Sequence, residues 1–236
     1  MPRLQVHDLS PISTGSIALD AVIGGGLPPA CVTDVYGAAA TGKTQFAFQN
    51  AVMTCNSIGS GTSEPAVVFI DCAGSFRPER VAEIAEKRDI EPTRVLELIS
   101  AVNVRSVSDQ IVASERLERE FNLSKCRLVI VDDVTANFTT EMNDPEQIME
   151  RQLLLSSYVR DLAYIANRKG ASVLLTNAVR SRGEAGIGEA TGEIISQHSL
   201  FRLYFSRTDR VRSAFVEQPI VARKSVNFEI EAKGIP

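Results

Sequence analysis

Short runs of apolar and β-branched residues alternate along the chain with longer stretches of helical periodicity. The runs at 32–36, 67–71, 128–132 and 172–176 have the length and composition of buried strands. Between them, the spacing predicts helices over 43–55, 78–87, 106–121 and 146–169. In the last of these Leu154, Tyr158, Leu162 and Ile165 share one helical face and read as a core stripe. Strand–helix alternation of this kind predicts an α/β fold, a mostly parallel central sheet flanked by helices. Beyond Gly192 the pattern changes to strands at 199–205, 211–217 and 226–232, which predicts an antiparallel C-terminal extension of the sheet. Gly- and Ser-rich stretches at 57–65 and 181–192 read as loops, and there is no internal repeat. A single domain over 1–236 is expected.

The chemistry enters at the first strand–helix junction. Gly37-Ala38-Ala39-Ala40-Thr41-Gly42-Lys43-Thr44 fits GxxxxGK[ST], in which small residues let successive backbone N–H groups wrap a phosphate chain. Its place between a strand and a helix sets the phosphates at a helix N-terminus. Lys43 is the candidate for the β- and γ-phosphates and Thr44 for Mg²⁺. The run at 128–132 ends in Asp132, the carboxylate expected on the metal side of such a site.

Composition narrows the partners. The chain has 236 residues, 44% hydrophobic and 23% charged, with a formal net charge of −4. That balance excludes a constitutively basic nucleic-acid binder and leaves DNA contact to local basic patches. Cys31, Cys55, Cys72 and Cys126 form no CxxC pair and read as buried reduced thiols. No apolar leader or membrane-length apolar run is present, which predicts a cytoplasmic protein without membrane contact.

Several stretches together resemble the RecA/RadA/Rad51 ATPase core in its archaeal-eukaryotic branch. They are Ser13-Thr14-Gly15-Ser16, Gly24-Gly25-Gly26, the phosphate loop with Gln45 after it, and Phe76-Arg77-Pro78-Glu79-Arg80. Thr176-Asn177, His198-Ser199 and Lys233-Gly234-Ile235 extend the likeness to the C-terminus. The resemblance implies a RecA-type P-loop fold, ATP and Mg²⁺ as cofactors, ATP-modulated single-stranded DNA binding and a role in recombination and repair. It implies a homo-oligomer or a full-length RadA/Rad51-type recombinase as partner. It places Gln45 and Arg80 beside the nucleotide, and Pro219 where a neighbouring subunit's ATP would be capped.

The departures from that pattern shape the expectation further. The chain begins almost directly at the ATPase core, without an N-terminal DNA-binding domain, and so is similar to the short archaeal RadB class. The stretch matching the family's first DNA-facing loop, 137–150, carries Glu141, Asp144, Glu146 and Glu150 and no Lys or Arg. DNA contact is therefore expected through Arg180 and Arg182 in the second loop, and through the basic stretch 201–224. Ala73 stands where the family has its catalytic Glu, and Ala178 where it has a γ-phosphate-sensing Gln. Hydrolysis should be weak. Asp133, directly after Asp132, is either a relocated base or a residue that only ligates metal-bound water or caps the following turn. A KaiC-like nucleotide-gated scaffold that does not bind DNA is the alternative reading.

Overall fold

The computed structural model describes residues 10–58, 64–119, 126–178, 187–209, 211–219 and 224–236. Its centre is one eight-stranded sheet in the order β3-β2-β4-β5-β1-β6-β7-β8. The strands are β1 (Val32–Gly37), β2 (Val67–Asp71), β3 (Ile99–Asn103), β4 (Leu128–Asp132), β5 (Ser172–Ala178), β6 (Phe201–Thr208), β7 (Val211–Gln218) and β8 (Ser225–Phe228). β1 through β6 pair in parallel, β7 pairs antiparallel with β6, and β8 pairs antiparallel with β7. The C-terminal extension thus begins one strand later than the sequence pattern suggests, because β6 pairs with β1 before turning into β7.

Helices cover both faces. The cluster containing Phe46, Phe48, Val52, Val81, Ile84 and Val95 seats α2 (Lys43–Asn56), α3 (Pro78–Glu86) and α4 (Pro92–Glu97) on one face, with Leu19 of α1 (Ile17–Ile23). The other cluster joins α5 (Val107–Arg119), α6 (Ala136–Glu141), α7 (Ile148–Lys169) and α8 (Ile187–His198) to the opposite face. Along β2 and β4 successive residues alternate between the two clusters, so every position in both strands is buried. This explains their unbroken apolar runs.

Two loop expectations also give way to helix. Residues 187–192, read as part of a Gly-rich loop, open α8, whose Ile195 is fully buried in the second cluster. Burial of one apolar face outweighs the helix cost of Gly188 and Gly192, about 1 kcal/mol each. The stretch 137–150, read as a loop, folds into α6, a 3₁₀ turn at Pro145–Gln147 and the start of α7. Glu141 has a local task there: its carboxylate accepts from the Val107 N–H at 2.9 Å, at the start of α5. Cys31, Cys55, Cys72 and Cys126 are all free thiols, and the last three are buried. Burial raises the Cys55 and Cys126 thiols to about 12. Among the described residues no helix is long and apolar enough to cross a membrane.

Candidate functional site

The sheet order places the C-terminal ends of β1, β2, β4 and β5 side by side, where open α/β sheets bind ligands. β1 runs into the 37–44 loop and α2 follows at once. Two glycines make the turn possible. A Cβ on Gly37 would stand 2.0 Å from the Phe205 carbonyl oxygen of the neighbouring strand. Gly42 has φ +110°, in the left-handed region that L side chains avoid, and it is the N-cap of α2. Gly42 brings no side-chain acceptor to that N-terminus, so the first-turn N–H groups of a 14-residue helix stay open to an external anion.

Lys43 folds back over the loop, its ammonium donating to the Gly37 and Ala38 carbonyl oxygens at 2.8 Å each. Burial lowers its pKa, with Asp133 and Asp132 opposing that shift. Thr41 closes the loop from inside, its hydroxyl donating to the Ala38 carbonyl at 2.9 Å. Arg212 on β7 approaches the Ala40 carbonyl at 3.4 Å; Ala39 lines a surface recess beside Tyr204 and Arg207.

Across from the loop, Asp132 is 2% exposed. Its Oδ1 accepts from Thr44 Oγ1 at 3.3 Å and from Thr176 Oγ1, and its Oδ2 from Ser75 Oγ at 2.6 Å. Among the described residues no cation lies within ion-pair distance of it. A buried carboxylate held only by hydroxyls, with one of them on the Thr that ends the loop, fits the oxygen-donor chemistry of a Mg²⁺ site. Thr176 and Ser75 were not singled out as site residues by the sequence. The available signals were the Thr176-Asn177 pair at the end of β5 and a hydroxyl one residue ahead of Phe76.

Asp133 is oriented differently from Asp132. Its Oδ1 accepts from the Thr135 N–H at 3.2 Å and the Thr135 hydroxyl at 2.9 Å, with the Ala178 N–H also directed at the carboxylate. Burial is the main cause raising its pKa. These bonds make it a cap for the turn into α6. Ala73 is exposed, and its N–H points to Asp71 Oδ1 at 3.3 Å.

The outlying candidates fall in three places. Arg80 lies next to the loop through Gln45, which accepts from its Nε at 2.8 Å. The rest of its guanidinium reaches Glu83 and the carbonyls of Glu231 and Ala232. Pro219 is exposed at the end of β7, level with the start of β6 and away from the 37–44 loop, so any nucleotide contact it makes belongs to another copy. Arg180 and Arg182 lie outside the described residues. The basic stretch 201–224 is partly spent internally: Arg202 pairs with Asp34 at 3.0 Å and with Glu217 at 2.9 Å, and stacks over the Tyr36 ring at 4.3 Å.

Comparison with known proteins gives this geometry a family. The sequence matches the Rad51 family over residues 5–236. It is 31% identical over 230 residues to the DNA repair and recombination protein RadA of Cenarchaeum symbiosum (strain A), an alignment covering 95% of this chain and 58% of that protein. The chain thus spans little more than half the length of that relative. With the family match over nearly its whole length and a phosphate loop set against a buried β4 aspartate, the chain belongs to the Rad51 family and has a RecA-type P-loop fold.

Proposed function

We propose that the chain is a recombinase paralogue that binds ATP·Mg²⁺, hydrolyses it weakly, and assists a full-length RadA/Rad51-type recombinase on single-stranded DNA. The observation that carries the reading is the pairing of an open α2 N-terminus with Asp132, a buried carboxylate whose described partners are all hydroxyls. The N–H groups of Ala38 to Thr44 would cradle the phosphates. Lys43 would leave the Gly37 and Ala38 carbonyls for the β- and γ-phosphate oxygens, exchanging two neutral acceptors for charged ones. Thr44 and Asp132 would hold the metal side, and Mg²⁺ there supplies neutralisation of the phosphate charge. Gln45 and Arg80 flank the site.

Weak hydrolysis is supported by two features of this pocket. Ala73 offers no carboxylate to orient water, and Asp133, the remaining candidate base, is bonded to Thr135 and the Ala178 N–H. The protein then acts as a nucleotide-gated binder. For DNA, Arg180 and Arg182 are the proposed phosphate contacts, since the folded 137–150 stretch presents acids in place of cations.

Calorimetric titration with ATP and Mg²⁺ tests the core of the proposal. Lys43→Ala is expected to weaken binding by at least about tenfold, the worth of a hydrogen bond to a charged group. Unchanged affinity would refute the phosphate-loop assignment. Fluorescence anisotropy of a labelled single-stranded oligonucleotide, read with and without ATP across a salt series, tests the DNA part. Absence of salt-dependent binding with ATP present removes it.

A further inference from the structure

The carboxylate of Asp71, at the end of β2, organises the five residues after it. It accepts from the N–H groups of Ala73 at 3.3 Å and Ser75 at 2.9 Å through Oδ1, and of Phe76 at 3.0 Å through Oδ2. These backbone bonds suffice to close the turn, and none of them uses the Ser75 hydroxyl. That hydroxyl has a single proton and two acceptors within reach, Asp132 Oδ2 at 2.6 Å and Asp71 Oδ1 at 3.4 Å. The shorter bond, to a buried charge, takes the proton. Asp132 therefore has one oxygen fixed by Ser75 and the other turned to Thr44 and Thr176.

We propose that Ser75 is a positioning residue for the metal side of the nucleotide site. By holding Oδ2 it fixes the carboxylate orientation that aims Oδ1 at the Thr44 hydroxyl, and so sets the part of nucleotide affinity that depends on Mg²⁺. The inference rests on the ATP·Mg²⁺ reading above. It also gives the turn that carries Ala73 a task in binding.

The test measures ATP affinity with Mg²⁺ and with EDTA for the wild type, Ser75→Ala and Ser75→Thr. Ser75→Ala is expected to weaken binding about tenfold in Mg²⁺, the effect of losing a hydrogen bond to a charged group, and to leave affinity in EDTA unchanged. Ser75→Thr keeps the hydroxyl and restores the Mg²⁺ effect. An alanine variant with wild-type Mg²⁺ dependence overturns the inference. So does a loss of equal size with and without Mg²⁺, which marks a role in folding the turn. If the wild type itself fails to bind ATP in Mg²⁺, the ATP reading falls, and this inference with it.

Discussion

Asp34 and Asp132 end up in opposite electrostatic situations although both are buried aspartates on parallel strands of one sheet. On the β1–β6–β7 side, Asp34 is fully buried and paired with Arg202, which also reaches Glu217 and lies over the Tyr36 ring. The charges there close on one another. On the β2–β4–β5 side, the side-chain partners of Asp132 among the described residues are the hydroxyls of Thr44, Ser75 and Thr176. A carboxylate supplied with its own cation serves the fold, whereas one given only hydroxyl donors keeps its charge for a ligand. The difference separates two buried acids that look alike in sequence.

The strongest way to break this comparison is Arg202→Ala. Removing one partner of a buried pair leaves Asp34 uncompensated and should cost about 3–5 kcal/mol in urea unfolding. Asp132→Asn should cost clearly less in the nucleotide-free protein, since the buried Lys43 that feels its charge keeps Asp133 and the Gly37 and Ala38 carbonyls. Equal losses would mean that Asp132 is as structural as Asp34.

Next in size is a gain of function at the other region. Ala73→Glu restores a carboxylate beside Asp132 and is expected to raise ATP turnover about 10²-fold, the low end of what a positioned base supplies. Asp133→Asn should leave turnover near its low starting value. Brisk wild-type turnover abolished by Asp133→Asn, with ATP binding intact, would show that the base has moved to Asp133.

The smallest effect is a pH dependence in the first region. Burial raises Asp34 to about 6, with Arg202 opposing the shift. Because the folded pKa exceeds the unfolded one, the folded state binds the extra proton. This contribution is fully present below pH ~4 and is lost as pH rises to about 6, by at most about 1.4 kcal/mol per pH unit. Urea midpoints compared between wild type and Asp34→Asn should diverge across that window and run parallel above it. Parallel behaviour throughout would place Asp34 closer to an ordinary carboxylate.

Much of this was legible beforehand, for reasons that differ by element. β2 and β4 are buried on both faces, so their apolar runs announced them without gaps. The phosphate loop was legible because few residue types permit its backbone: a Cβ at Gly37 would collide with the Phe205 carbonyl. β3 was missed because it is a half-exposed edge strand with Ser100 and Asn103 in its short span. α8 was missed because its glycines look like loop residues until Ile195 finds the second cluster. Ser75 and Thr176 escaped notice as partners of Asp132 because their roles depend on three strand ends meeting in space, far apart in the chain. The internal use of Arg202 was hidden in the same way: a run of basic residues suggests a solvent-facing patch until Asp34 is found beneath it.

The Arg80 fork has a mechanical consequence. One planar guanidinium grips Gln45, the residue after the phosphate loop, and also the main chain at 231 and 232. Its neighbour Arg88 fastens the carbonyls of Lys233, Gly15 and Ile235. A stiff planar group cannot stretch to accommodate one side alone. The first turn of α2 is thereby tied to the exposed main chain at 231 and 232, and through it to the buried Ile235.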